Sequence, residues 1–335
     1  MATRTTTQHV TTATAQSGTQ KPTHPTPGAL VVERTGPLAL VQDAGRFGCR
    51  HLGVTQGGAL DWISLGWANW LLGNAPDAAG IEIAIGGLAL KAERTLRLAI
   101  AGADLGATRD GEPLAANGSF TLERGQVLAF DQPRAGLRAY LALPGGLEAA
   151  PFMGSLSTVA REQLGGLDGR GGALRVGDRL MAASPAPQGD EQARELPSSL
   201  PPMPADDTVL ELVTGAQIAH FDGASLFAAF NRPWQVDSRA DRMGVRLTGP
   251  VLRCQSGGMV SEGIPLGAVQ VPPDGQPIIL LNDRQTIGGY PRLGALSPIA
   301  CARLGQCAPG TTIRLSPVTP HQARTRYLRQ LALWR

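Results

Sequence analysis

The chain has 335 residues, 42% of them apolar, with 43 glycines, 26 prolines and a formal net charge of +3. That length exceeds what one hydrophobic core usually organises, so two units are expected. The near-neutral charge, with no basic stripe interleaved with aromatics, excludes a nucleic-acid binder, and no apolar run approaches the roughly eighteen residues of a membrane span.

Residues 1–28 are rich in Thr, Ala, Gln and Ser and contain no acidic residue. Such a segment cannot bury enough surface to offset its ordering entropy, so a disordered, dispensable leader is expected. Residues 29–184 form the first expected unit, where ALVVER, LRLAIAG, QVLAF, LRAYLAL and DRLMAA read as short strands broken by glycine. One helix interrupts them, ALDWISLGWANWLLGN at 59–74. Asp61 is its N-cap, Gly73-Asn74 its stop, and Ile63, Trp67, Trp70 and Leu71 recur at helical spacing. Its remaining faces are also apolar, so it should lie buried against a sheet.

The stretch 185–207, PAPQGDEQARELPSSLPPMPADD, reads as a linker. A second β unit then spans 208–318, with strands in TVLELVTG, WQVDS, VRLTGP, AVQVP, PIILLND and TTIRLS and a hairpin at PPDGQP. The basic tail, 319–335, carries Tyr327, Leu328, Leu331 and Trp334 at helical spacing and is expected to pack as a helix on its own domain.

Residue types narrow the chemistry. Lys21 and Lys91 are the only lysines. No G-K-[ST] phosphate loop exists, and neither lysine has the preceding methionine of a biotin carrier, so no biotin is attached to this chain. Four scattered cysteines without C-x-x-C or a nearby histidine pair exclude a zinc site and read as reduced, cytoplasmic thiols. GSLST at 154–158 lacks the second glycine of a serine-hydrolase elbow.

Three clusters remain. The first is Gln42, Asp43, Arg46 and Gln56 on a glycine-rich turn leading into the helix capped by Asp61, an arrangement suited to an anion. The second is SRADRMGVR at 238–246, where Asp241 and Arg242 are adjacent and so should point to opposite faces of a strand. The third is LLNDRQTIGGYP at 280–291, where a strand ends abruptly in Asp283, Arg284, Gln285 and Thr286 before Gly288-Gly289-Tyr290-Pro291. Polar groups fired off a strand end onto a glycine turn are placed like site residues. The first two clusters share R-x-G-x-R-x-x-G, at 46–53 and 242–249. This match predicts a duplication in which equivalent arginine turns of two similar barrels face one cleft.

VQDAGRFGCRHLGVTQGGALD, ANWLLGN, GLRAYLALPGG, GSLST, DRMGVRLTGP and PLGAVQVPPDGQPIILLNDRQTIGGYP together resemble the biotin-dependent carboxyltransferase family, which includes the 5-oxoprolinase C subunit, allophanate hydrolase subunit 2 and the Kip antikinase-antagonist protein. The resemblance spans roughly residues 29–318. It implies a mainly β fold of two cyclophilin-like β-barrel subdomains with few short helices, and a heteromeric complex with the 5-oxoprolinase B and A subunits as partners. It also implies ATP-dependent opening of 5-oxoproline to L-glutamate, with ATP bound on a partner or shared with it. The alternatives are carboxyl transfer to urea or another amide, and a Kip-like regulatory binding protein. The family commonly has serine at Gly57, threonine at Ile287 and aspartate near Ala300.

Within that resemblance, Asp43 or Asp283 is the candidate base and Arg284 a catalytic charge partner. Arg46 and Arg242 are candidate anion clamps. Gln42, Gln56, Gln285, Thr286 and Tyr290 would position substrate. Asp283 and Arg284 are expected to face solvent, so that neutralising either leaves the core intact.

Overall fold

A computed structural model describes residues 30–184, 194, 196, 197, 203–255 and 259–334. The leader and most of the linker lie outside the described residues. The architecture is mainly β, with four short helices among the described residues.

The first unit has two antiparallel sheets around one core. A five-stranded sheet runs in the spatial order Leu38–Gln42, Gly80–Ala84, Ala135–Ala142, Leu96–Asp104, Gly118–Leu122. A seven-stranded sheet has Leu30–Arg34 near its centre, between Arg179–Ala182 and Ala89–Ala92. Leu30, Val41, Ile81, Leu90, Leu98, Leu128, Leu141 and Leu180, drawn from both sheets, share a single buried cluster. Alternation makes this possible, because strand side chains point to opposite faces with period two. In Gly80–Ala84, Ile81 and Ile83 enter that cluster, which leaves Glu82 on the opposite face.

The second unit is a closed barrel ordered Thr208–Thr214, Arg292–Leu296, Ala268–Gln270, Ile278–Leu280, Gly244–Thr248, Trp234–Val236, Thr312–Val318. Thr208–Thr214 closes it by pairing in parallel with Thr312–Val318.

Helix α1, Trp62–Leu71, starts where expected, with Asp61 accepting from the Ser64 amide. It packs on the outer face of the five-stranded sheet, through Leu65, Trp67 and Ala68 against Ala101 and Tyr140. Helices α2, Gly223–Asn231, and α3, Pro298–Leu304, flank the barrel. Helix α4, Pro320–Ala332, opens on a reciprocal Thr319/Gln322 capping box.

The tail forms the expected helix, and its packing joins both units. Arg326 pairs with Glu211 of the barrel. Tyr327 and Trp334 meet the Trp62 ring edge-on, and Trp334 also meets Trp67. The close approach requires Gly66, where a Cβ would stand 2.4 Å from the Trp334 indole. Glycine inside a helix costs about 1 kcal/mol relative to alanine, so the docked indole has to offset that. Gly66→Ala should therefore lower stability, by about 1–3 kcal/mol as overpacking does, and alter tryptophan emission. Denaturant titration with fluorescence checks both; a stabilised variant would show that the indole contact contributes nothing.

The two R-x-G-x-R-x-x-G stretches coincide only in part. Arg46 and Arg242 each follow a strand end, Gln42 in one unit and Val236 in the other. Beyond that they diverge: Arg50–Leu52 is a 3-10 turn, whereas Gly244–Thr248 is a barrel strand. The two arginines nevertheless reach adjacent glycines of one turn, Arg46 at Gly57 and Arg242 at Gly58. Arg46 Nη1 lies 3.2 Å from where a Gly57 Cβ would stand, and Arg242 Nη2 donates to Gly58 O at 2.7 Å.

Candidate active site at the seam between the units

The glycine turn after Leu38–Gln42 is held together by its own acid. Asp43 accepts from the Gly45 amide at 2.8 Å, Ser155 Oγ at 2.7 Å, the Leu156 amide at 2.6 Å and Ser157 Oγ. Both carboxylate oxygens are thereby occupied in fastening the GSLST loop to the turn. Gln42 is fully buried and donates to Thr158 O, so it too holds this loop. Arg46 completes the arrangement, donating to Ser157 O at 2.5 Å and Phe152 O at 3.2 Å, with its guanidinium over the Phe152 ring. Its Nη1 is buried and has no hydrogen-bond partner among the described residues. Burial lowers the Arg46 pKa, against the opposing pull of Asp43 and Asp283.

Across the seam, Asp283 and Arg284 depart from expectation: they are 7% and 2% exposed. Asp283 is gripped at both oxygens by Arg242, at 3.0 and 3.1 Å. Arg242 itself lies in a loop, not on a strand, and turns inward while Asp241 stays at the surface capping Met243 and Gly244. Its third nitrogen reaches Glu82 of the first unit. Glu82 is fully enclosed, also accepting from the Leu60 amide at 2.9 Å and Tyr140 Oη at 2.7 Å. Burial works against the Glu82 carboxylate, but Arg242, Arg138 and these two donors hold its pKa below the usual range. Arg242 is held charged; desolvation is outweighed by Glu82 and Asp283. Burial raises the Asp283 carboxyl, against its pairing with Arg242.

Arg284 is different in kind. It donates to Ile264 O, Leu281 O and, at 3.4 Å, to Gln56 Oε1, all of them neutral acceptors. Burial, together with neighbouring Arg50, pushes its pKa down to about 10. Arg50, from the 3-10 turn of the first unit, straps the seam by donating to Ile264 O, Gln285 O and Thr286 O of the second. Its Nη1 is likewise buried, with no hydrogen-bond partner among the described residues. Gln285 and Thr286 therefore contribute backbone carbonyls to the seam. Tyr290 stands 48% exposed and makes none of these contacts.

The structure thus gathers Arg46, Gln56, Arg242, Asp283, Arg284, Gln285 and Thr286 around the Gln56–Gly58 turn, and places Gln42 and Asp43 behind it as loop fasteners. Sequence reasoning missed Glu82, Tyr140 and Arg50. Beside Arg50, an open depression of about 550 Å³ is lined by His51, Ile264, Pro265, Thr286 and Ile287. Arg46, Arg50 and Arg284 are half- to fully buried guanidiniums of lowered pKa. A desolvated cation engaged only by neutral acceptors is poised to take an anion or an oxygen developing negative charge.

Two β units joined by a buried Glu82–Arg242–Asp283 bridge, with further buried arginines at the joint, define a two-subdomain module. The chain belongs to the carboxyltransferase-domain family: the model for "carboxyltransferase domain, subdomain A and B" matches residues 52–317. It is 36% identical over 313 residues to the 5-oxoprolinase C subunit of Escherichia coli, covering 91% of this chain and 98% of that one. It is 34% identical to the subunit of the same name from Haemophilus influenzae, covering 85% and 90%. Among solved structures it is similar to the urea amidolyase of K. lactis, at 28% identity and a TM-score of 0.86; that match covers 93% of this chain and 20% of the larger polypeptide.

Proposed function

We propose that this chain is the C subunit of a 5-oxoprolinase, a hydrolase that opens the lactam of 5-oxoproline to L-glutamate at the expense of ATP. The observation that carries this reading is the end-to-end similarity to the E. coli 5-oxoprolinase C subunit, with 98% of that protein covered. Urea amidolyases match too, but the chain corresponds to only 17% of the Lachancea kluyveri and Saccharomyces cerevisiae proteins.

The seam suits such a substrate. 5-Oxoproline carries a carboxylate and a resonance-stabilised amide, and its opening concentrates negative charge on the amide oxygen. Arg284, Arg46 and Arg50 would bind the carboxylate or stabilise that oxygen, with Gln56 orienting Arg284. ATP would activate the amide by phosphorylation. Among the described residues its phosphates find no lysine at the seam, since Lys91 is ion-paired with Glu33 on a strand of the first unit. The arginines could accept one anionic group, and the nucleotide is accordingly assigned to a partner protein or to a site shared with it. The same lysine census supports the absence of biotin on this chain.

A proton acceptor is also to be supplied by a partner. Asp43 is occupied by its loop donors and Asp283 by Arg242. On this reading Asp283 orients Arg242 and takes no proton, and the isolated chain is inactive. Four free cysteines support a cytoplasmic setting. Among the described residues no helix is long and apolar enough to cross a membrane.

Reconstitution tests the proposal. Mixed with the A and B subunits encoded by the same organism, the chain should yield ATP-dependent glutamate release from 5-oxoproline, and omitting it should abolish release. Urea-dependent ATP hydrolysis without glutamate release would overturn the reading in favour of carboxyl transfer. Unchanged release without this chain would leave a regulatory binding role.

A further inference from the structure

Glu82 comes from the first unit, on a strand that contributes nothing else to the seam, yet its carboxylate organises both sides of it. On its own side it receives the Leu60 amide and Tyr140 Oη, and Tyr140 in turn receives the Asp61 amide at 2.8 Å. These bonds fix the exit of the Gln56–Gly58 turn into α1. On the other side it receives Arg242, which binds Gly58 O and both oxygens of Asp283. The backbone repeats the connection, with Gly57 N donating to Asn282 O and Asp283 N to Arg242 O, while Asn282 Nδ2 donates to Ala59 O. Two turns from different units are thus held in one register by a guanidinium, and that guanidinium is aimed by Glu82.

At the edge of this register, Gln56 from one turn meets the buried Arg284 from the other. Among the described residues Arg284 has no carboxylate to hold it, so its position depends on the turn that carries it. We propose that Glu82 is a positioning residue of the site: acting through Arg242, it sets the separation of the 56–60 and 282–286 turns and hence the placement of Arg284 and Gln56 on the substrate. The assignment rests on the reading of the seam as the 5-oxoproline site. Tyr140 shares the role by orienting the Glu82 carboxylate. Shape explains why the residue has to be glutamate. Glutamine would present an N–H toward the Leu60 amide, Tyr140 Oη or Arg242, all of which donate to this group, and aspartate is a methylene too short to span them.

The test uses the reconstituted complex carrying Glu82→Gln, Glu82→Asp or Tyr140→Phe, with two independent readouts. In steady-state kinetics kcat should fall about a hundredfold for Glu82→Gln, as for angstrom-scale misplacement of a reacting group, with KM for 5-oxoproline changed less than about threefold. Glu82→Asp and Tyr140→Phe should fall between it and wild type. In hydrogen exchange, amides of 56–60 and 282–286 should exchange faster while the strands of both units stay protected. Should Glu82→Gln fail to fold, the two milder variants carry the same comparison. Wild-type kcat in all three variants, or faster exchange spread evenly over both units, would overturn the proposal in favour of a purely scaffolding acid. If the wild-type complex releases no glutamate, the activity assignment fails, and the exchange arm still decides: loosening confined to the two turns supports the clamp, and its absence removes it.

Discussion

Arg242→Met is expected to destabilise the protein by about 3–5 kcal/mol, the cost of breaking a buried ion pair by removing one partner. The substitution leaves two carboxylates, Glu82 and Asp283, enclosed without the cation that bridges them. Both are nearly closed off from water, Glu82 at 2% and Asp283 at 7% exposure. Against a usual folding stability of about 5–15 kcal/mol, that loss is a large share of the total. Asp283→Asn should show the same behaviour in milder form, since Glu82 remains to hold Arg242. This reverses the expectation from sequence that neutralising Asp283 would spare the fold. Urea titration of purified variants measures the effect, and a loss below about 1 kcal/mol for Arg242→Met would show that the bridge is no stronger than a surface pair.

Arg284→Gln should give the opposite pattern. Its partners are carbonyl and amide oxygens, and burial already disfavours its charge, so removing the charge relieves a desolvation cost while losing hydrogen bonds of ordinary strength. Stability should change by less than about 1.5 kcal/mol. Glutamate release should drop about a hundredfold or more, as when a donor aimed at a developing oxyanion is deleted. Arg284→Lys should restore little, because a single ammonium cannot reproduce the fork that spans Ile264 O, Leu281 O and Gln56. Measuring melting and turnover on the same preparations separates the cases. Stable protein with normal turnover would remove Arg284 from the site, and unfolding would make it a structural residue.

These contrasting fates show what the sequence could and could not disclose. Helix α1 was legible to its cap because Asp61 and the run of apolar residues act locally. The segments of the candidate site were legible because glycine turns crowded with Asp, Arg and Gln are unusual. Their burial was not, since it depends on the other unit. Asp43 looked like a base, yet the spacing Asp43–Gly45 is that of an acid bonding the amide two residues on, a local signal available from the start. Glu82 also left a trace, as the lone acid between two isoleucines in GIEIA. Its role could be fixed only by knowing that Arg242, far along the chain, arrives opposite it. Arg50 was seen as part of a repeat but not as a strap, because its acceptors are backbone carbonyls that no side-chain pattern announces.

The closure of the second barrel bears on how the molecule is made. Thr208–Thr214 finds its parallel partner, Thr312–Val318, only at the far end of that unit. During synthesis this strand emerges early and must wait with both edges unpaired until Arg292–Leu296 has left the ribosome, and with one edge unpaired until Thr312–Val318 follows. Pairings of such long separation are slow, and an unpaired edge invites association with other chains. The arginine seam inherits this schedule. Arg242 and Asp283 lie between the two closing strands, so the bridge to Glu82 reaches its final geometry late, after the first unit can already have folded. Newly made chains should therefore pass through a period in which Glu82 is buried on one side and still waiting for its cation, and chaperone demand should concentrate there.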